Sequence, residues 1–236
     1  MIQIHHFYKN KTMKLNSLPV WAFLFVFWMA CKPAETKMEI PSTLFTSVVI
    51  KHPVKDYAIW KTHFMAHDSV RQAYGISIIG VARGLQDTNM VAIIGSVSDM
   101  QKAKDFMALP DLKPLMDSAG VTAAPTIEWI NVVRNDSSEI AQRERLMVSH
   151  HVKDFGEWLK VFDAEGKDTR AGFGLLDRAL GRGVEDTNMI YMVFAITDMA
   201  KAKARGESEE LKKLMEEAGV DGPQTMFSYT FDIYNE

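Results

Sequence analysis

The sequence predicts an α+β fold in which two tandem βαββαβ halves close into one intramolecular barrel. Three observations predict it. Most of the 236-residue chain is one unit written twice. Each copy alternates short apolar runs with stretches that repeat apolar residues at helical spacing. The third strand expected in each copy, Met90–Val97 and Met189–Ile196, is apolar at nearly every position. A hairpin strand that is apolar on both sides has to be covered on both faces. Helices cover one face, and the sheet of the other copy covers the other.

The repeat is explicit. His52-Pro-Val-Lys-Asp56 matches His150-His-Val-Lys-Asp154. Trp60, Phe64 and Ala66 match Trp158, Phe162 and Ala164, and after one inserted residue Arg71 and Gly75 match Arg170 and Gly174. Arg83-Gly84 and Asp87-Thr-Asn-Met90 match Arg182-Gly183 and Asp186-Thr-Asn-Met189. Asp99-Met100, Lys102-Ala-Lys104 and Ala119-Gly-Val121 recur as Asp198-Met199, Lys201-Ala-Lys203 and Ala218-Gly-Val220. A period of about 98 residues is that of a whole small domain, not of a solenoid unit.

Taken in order, the first strands are 44–51 and 145–150. Val54, Tyr57, Trp60 and Phe64 then fall at helical spacing, as do Val152, Phe155, Trp158 and Phe162. Gly75 and Gly174 stand where those helices must end. The next two strands, 76–83 and 90–97 in the first copy, flank a turn at 86–89, whose Asp and Asn suit turn backbone. Gly84 and Gly183 suggest a bulge or a positive φ, and Arg83 and Arg182 are expected to pair with Asp87 and Asp186. Asp99 and Asp198 sit where a helix N-terminus favours an acid. Pro110 is expected to break or restart that helix in the first copy. The last strands are 126–133 and 225–233.

The N-terminal segment differs from the rest. Leu18–Ala30 is thirteen uncharged, mostly apolar residues, preceded by Lys9, Lys11 and Lys14 and no acid. It is short for a bilayer span and fits an export signal. Cys31, the only cysteine, follows at once, which bars an intrachain disulfide and resembles a bacterial lipoprotein cleavage site. Met1 or Met13 serves as the start. Residues 1–31 are therefore read as signal peptide with a lipobox-like cysteine and 32–43 as a tether. Residues 44–134 are the first repeat, 135–144 a linker and 145–236 the second repeat. The expected location is the cell envelope, anchored through lipid at Cys31 and facing the periplasm or the outside, with secretion as the alternative. Removing residues 1–30 takes away three lysines and no acid, so the formal charge moves from -3 to -6. That balance argues against nucleic acid as a partner.

The pattern Val-Lys-Asp-[Tyr/Phe]-x-x-Trp-x-x-x-Phe, followed by Asp-Thr-Asn-Met, Asp-Met-x-Lys-Ala-Lys and Ala-Gly-Val, resembles the dimeric α+β barrel superfamily, in its antibiotic-biosynthesis-monooxygenase-like branch. The resemblance covers about residues 44–234 and implies ferredoxin-like halves. The superfamily includes cofactor-free oxygenases, heme-degrading oxygenases, cyclases, isomerases and non-catalytic members, so it does not imply one activity. Its heme-degrading members rely on an Asn, a Trp and a His. No such triad falls on matching positions, and no cofactor is expected.

Candidate site residues are few. Trp60 and Trp158 lie on the buried helix stripe and are read as core. His63 and His67, at i and i+4, share a helix face and are weak metal-ligand candidates without a third ligand. Otherwise no metal is expected. His52 and His150 end their strands and are read either as helix-entry residues or as groups at a cavity mouth. Asp177 and Arg178 replace Ile78 and Ile79 of the first copy and must point to opposite faces, one toward an interior. Glu128, Trp129, Asn131, Tyr191 and Tyr229 are the other strand residues expected to line it. The expected function is binding a small, largely apolar molecule in the barrel interior. The alternatives are a cofactor-independent oxygenase, isomerase or cyclase, and a structural or partner-binding envelope protein. A homodimer of the fused pair stays open.

Overall fold

A computed structural model describes residues 41–234. Cys31, the signal segment and most of the tether lie outside the described residues. The first half runs β1 (Phe45–Pro53), α1 (Tyr57–Ala66), α2 (Asp68–Ala73), β2 (Ile76–Gly84), β3 (Met90–Val97), α3 (Met100–Met107), α4 (Leu112–Ser118) and β4 (Thr126–Asn135). The second repeats it as β5 (Glu144–His151), α5 (Phe155–Glu165), α6 (Lys167–Gly172), β6 (Leu175–Gly183), β7 (Met189–Ile196), α7 (Met199–Gly206), α8 (Glu209–Glu217) and β8 (Thr225–Tyr234).

The strands form a closed barrel in the order β1-β3-β2-β8-β5-β7-β6-β4. Each half supplies one four-stranded antiparallel sheet. The sheets do more than stack: β2 pairs with β8 and β4 pairs with β6, so neither sheet keeps a free edge. Register shifts at Val81/Ala82 and Val132/Arg134 bend both seams, as closure requires. Each half leans on the other's last strand. Tyr57 and Lys61 of α1 donate to Asp232 of β8 at 2.8 and 2.6 Å. Asp163 of α5 accepts from Arg134 of β4.

Alternation decides what each strand contributes. In β1, Ser47 and Val49 face the barrel interior while Val48 and His52 face the helices; β5 repeats this with Met147 inward and Val148 and His150 outward. Inside, Val49, Ala82, Ala92, Ile130, Val132, Met147, Tyr191 and Tyr229 pack as one cluster. An eight-stranded barrel is just wide enough for its side chains to fill. On the outside, the helices of each half bury a core against their sheet that also takes in the last strand of the other half, Val133 of β4 in the second and Ile233 of β8 in the first.

Local chemistry starts and stops the helices as their sequence suggests. Asp56, Asp99, Asp154 and Asp198 each accept a backbone N–H from three residues on, at 2.9–3.0 Å. Gly75 and Gly174 follow the helix ends with φ of +75° and +81°, a region costly for other residues. The helix breaks between α3 and α4, where Pro110 stands, as expected; α7 and α8 break at the matching place without a proline, Ser208 accepting from the Leu211 N–H. One expectation needs correction. Gly84 and Gly183 do not have positive φ. A side chain there would strike the turn carbonyls of Asp87 and Asp186.

Candidate functional site

Each half carries the same column of stacked side chains on its outer sheet face. In the first half the Arg83 guanidinium lies over Tyr57 at 4.1 Å, Tyr57 stacks on Trp60, Trp60 stacks on Phe64 at 4.8 Å, and Arg71 caps Phe64 at 3.8 Å. In the second half Arg182, Phe155, Trp158, Phe162 and Arg170 repeat the order, with 4.1 Å and 3.7 Å at the two guanidinium ends. The repeat motif is thus explained: its Tyr/Phe, Trp and Phe at i, i+3 and i+7 share one helix face, and two arginines close the column. The expected pairing of Arg83 with Asp87 and Arg182 with Asp186 is not made. Each arginine instead donates its Nε–H to a turn carbonyl, of Thr88 and Thr187, at 2.7 Å.

Beside each column is a pocket between sheet and helices. The first-half pocket has a volume of about 230 Å³ and is lined by His52, Trp60, His63, Phe64, His67 and Arg71 among apolar residues. The second, of about 120 Å³, is lined by His150, Trp158, Phe162, Glu165, Arg170 and Arg205 among apolar residues. A cavity of about 150 Å³ with apolar walls holds a benzene-sized molecule, so the two spaces bracket small ring compounds.

His52 and His150 form the floors of these pockets. They lie on the helix side of the sheet, not in the barrel interior and not at an open strand end, because their strand positions share parity with Val48 and Val148. They are 3% and 2% exposed. Each ring stands edge-on to the column indole, His52 to Trp60 at 5.6 Å and His150 to Trp158 at 6.0 Å. His52 Nδ1 and both ring nitrogens of His150 find no hydrogen-bond partner among the described residues. Burial pulls the His150 pKa down to about 4, and it lowers His52 too, against a hydrogen bond to the Pro53 backbone. Both imidazoles are therefore neutral at pH 7, in apolar surroundings, with unused hydrogen-bonding capacity.

The remaining sequence candidates scatter. His63 and His67 both line the first-half pocket, but His67 Nδ1 bonds the His63 carbonyl oxygen at 2.8 Å. No group of three or more metal-ligating side chains occurs among the described residues. Asp177 and Arg178 part to opposite sides, Asp177 toward the helices and Arg178 to the rim of the interior. Arg178 donates to the Ser138 carbonyl at 2.6 Å and lies 3.6 Å from Asp136. Tyr191 and Tyr229 border an interior space of about 140 Å³. Burial and the Glu128 charge push the Tyr191 hydroxyl up to about 12. Glu128 pairs with Lys51 at 3.3 Å, and its Oε2 is left buried without a partner. Trp129 and Asn131 do not face the interior. Trp129 packs with the helix-side cluster around Val48 and Phe106, and Asn131 accepts from Thr46.

Sequence reasoning missed the arginines. Arg170 donates to Asp177 from Nε at 2.8 Å and from Nη2 at 2.6 Å, and lies 3.2 Å from Glu165, which also takes Arg205 at 2.8 Å. The available signal was the match of Arg71 with Arg170 across the repeat, since a retained cation between two apolar segments needs a buried task.

No family model matches the chain, and no curated protein matches it. Solved structures do. A provisionally named monooxygenase from Lactobacillus acidophilus NCFM is 13% identical, over 80% of this chain and 95% of that one, with a TM-score of 0.50. A second provisionally named monooxygenase, from Fusobacterium nucleatum, is 14% identical over 81% and 94%, with a TM-score of 0.51. An anthrone oxidase-like protein is 11% identical over 81% and 92%, with a TM-score of 0.54. At such identity the likeness is one of fold. It bears out the α+β architecture of two βαββαβ halves that the repeat motif suggests.

Proposed function

We propose that this protein binds small, largely apolar molecules carrying one polar handle, and that it does so between sheet and helices rather than inside the barrel. The observation that supports this best is His150: a fully buried imidazole, at the floor of an apolar pocket, with both nitrogens unpartnered. Leaving such a group unsatisfied costs about 1–3 kcal/mol, which a ligand hydroxyl or carbonyl would recover. The barrel interior is the weaker candidate: its space of about 140 Å³ is comparable, but none of the buried polar atoms left without a partner among the described residues belongs to its lining.

Binding is favoured over acid–base catalysis in the second half by magnitude. A general base works best with a pKa near the working pH, and His150 at about 4 is a hydrogen-bond anchor rather than a base. The first half supports a second reading, a cofactor-independent oxygenase or isomerase. Its wider pocket adds His63 and His67 beside His52, groups suited to deprotonating an enolisable ring substrate, and the fold is shared with monooxygenase-like and anthrone oxidase-like proteins. Export and lipid attachment at Cys31 belong to the same proposal, supported by the apolar run before that cysteine.

Titrating the full chain in detergent with 2-naphthalenemethanol, followed by tryptophan fluorescence, tests the binding reading. Saturable quenching that weakens in His150→Phe is expected. Quenching indifferent to His150→Phe and His52→Phe would overturn it.

A further inference from the structure

The two pockets are built alike but charged differently. In the second half the Arg170 guanidinium is saturated. Asp177 takes two of its N–H groups, Glu165 lies against a third, and the Phe162 carbonyl accepts at 2.7 Å. Glu165 in turn holds Arg205. Two arginines meet two acids, so the pocket wall carries no net charge, although the Arg205 Nε is itself buried without a partner among the described residues.

In the first half the same guanidinium has lost most of these partners. Ile78 stands at the position of Asp177, and Phe106 at the position of Arg205. The shorter α1 ends at Ala66 and brings no acid where α5 ends with Glu165. Arg71 keeps the Phe64 carbonyl at 2.8 Å and a single 3.2 Å bond to Asp68, an acid 38% exposed that also accepts from Gln72. Arg71 itself is 6% exposed, it lines the pocket, and its Nε is buried without a partner. Burial lowers its pKa, the mark of a cation short of compensation.

We propose that the first-half pocket takes a small apolar molecule ending in a carboxylate, which Arg71 receives through its unused Nε–H, while the second-half pocket, whose two cations are already balanced by Glu165 and Asp177, favours neutral molecules. The chemistry follows from the fork of a guanidinium, which binds carboxylate oxygens in a charge-assisted way and more strongly where water is excluded. The ring portion of the ligand lies against Trp60 and Ile78, and His52 bonds whatever polar atom reaches the floor. This assignment rests on the pocket reading above and adds the ligand class.

The test compares 2-naphthoate with 2-naphthalenemethanol, which share a ring system and differ in charge, by calorimetric titration of the full chain in detergent. Naphthoate is expected to bind at least about tenfold tighter, the difference a charge-assisted bond makes. Arg71→Gln should bring naphthoate down to the affinity of the alcohol. Ile78→Asp should do the same while keeping the guanidinium paired, since it recreates the contact of the second half. Thermal melts of both variants confirm that they fold. Equal binding of acid and alcohol to the unaltered chain would overturn the carboxylate assignment and leave the pocket reading standing. An acid preference that survives both variants would also overturn it. Failure of both probes to bind would overturn the pocket reading and this assignment together.

Discussion

The His150 ring lies edge-on to the Trp158 indole, centroids 6.0 Å apart and planes at 66°, so an imidazole is buried where it cannot hydrate. Its pKa falls from 6.5 to about 4 as a result. The sign of the linkage is fixed. The unfolded chain takes up a proton near pH 6.5, and the folded chain resists until about pH 4. Stability is therefore full above about 6.5 and is lost as pH falls toward 4. From pH 7 to 5 the loss attributable to His150 is about 2 kcal/mol. Urea denaturation across that interval should show a limb shallower by about that amount in His150→Phe. Parallel limbs would show that the ring is hydrated or paired.

The buried Arg170 pairs with Asp177, a carboxylate still a third exposed, and the worth of the pair lies in its completeness. Asp177→Ala should destabilise the protein by about 2–3 kcal/mol, less than the loss of an isolated buried partner because Glu165 remains. The double replacement Arg170→Met with Asp177→Leu should cost less than Asp177→Ala alone, since no uncompensated charge is left behind. Equilibrium unfolding of the two variants decides, and a double variant weaker than the single one would contradict the argument.

Gly75 and Gly174 end equivalent helices but do not tolerate a side chain equally. A Cβ at Gly174 would meet the Asp198 carbonyl oxygen at 2.5 Å, whereas one at Gly75 meets the Ser98 hydroxyl at 3.0 Å. Both alanines adopt an unfavourable positive φ, costing about 1–2 kcal/mol. Gly174→Ala should lower the melting temperature further than Gly75→Ala, and the reverse order would mean that the two turns differ in backbone rather than in space.

Much of this architecture was legible in the chain. Duplication is visible because Trp60, Phe64 and Arg71 recur with their spacing as Trp158, Phe162 and Arg170. Closure is visible because β3 and β7 are apolar on both faces. The site was less legible, for two physical reasons. Strand parity at His52 and His150 is set by the register of β1 and β5 against their neighbours, which no single strand reveals, so the sequence left the histidines open between a helix-entry role and a cavity mouth. The asymmetry at Arg71 arises from three separated positions, 67, 78 and 106, that only the fold brings to one guanidinium. Asp177 stands out in the sequence as a charge in an apolar strand, but its partner Arg170 sits in a short helix that carries no periodic signal.

If ligand lies between sheet and helices, a crystal structure of the chain soaked with 2-naphthalenemethanol will place the ring beside the Trp60 or Trp158 column, with its hydroxyl within hydrogen-bond distance of His52 or His150. A ring found instead within the barrel, against Tyr191 and Tyr229, would contradict it.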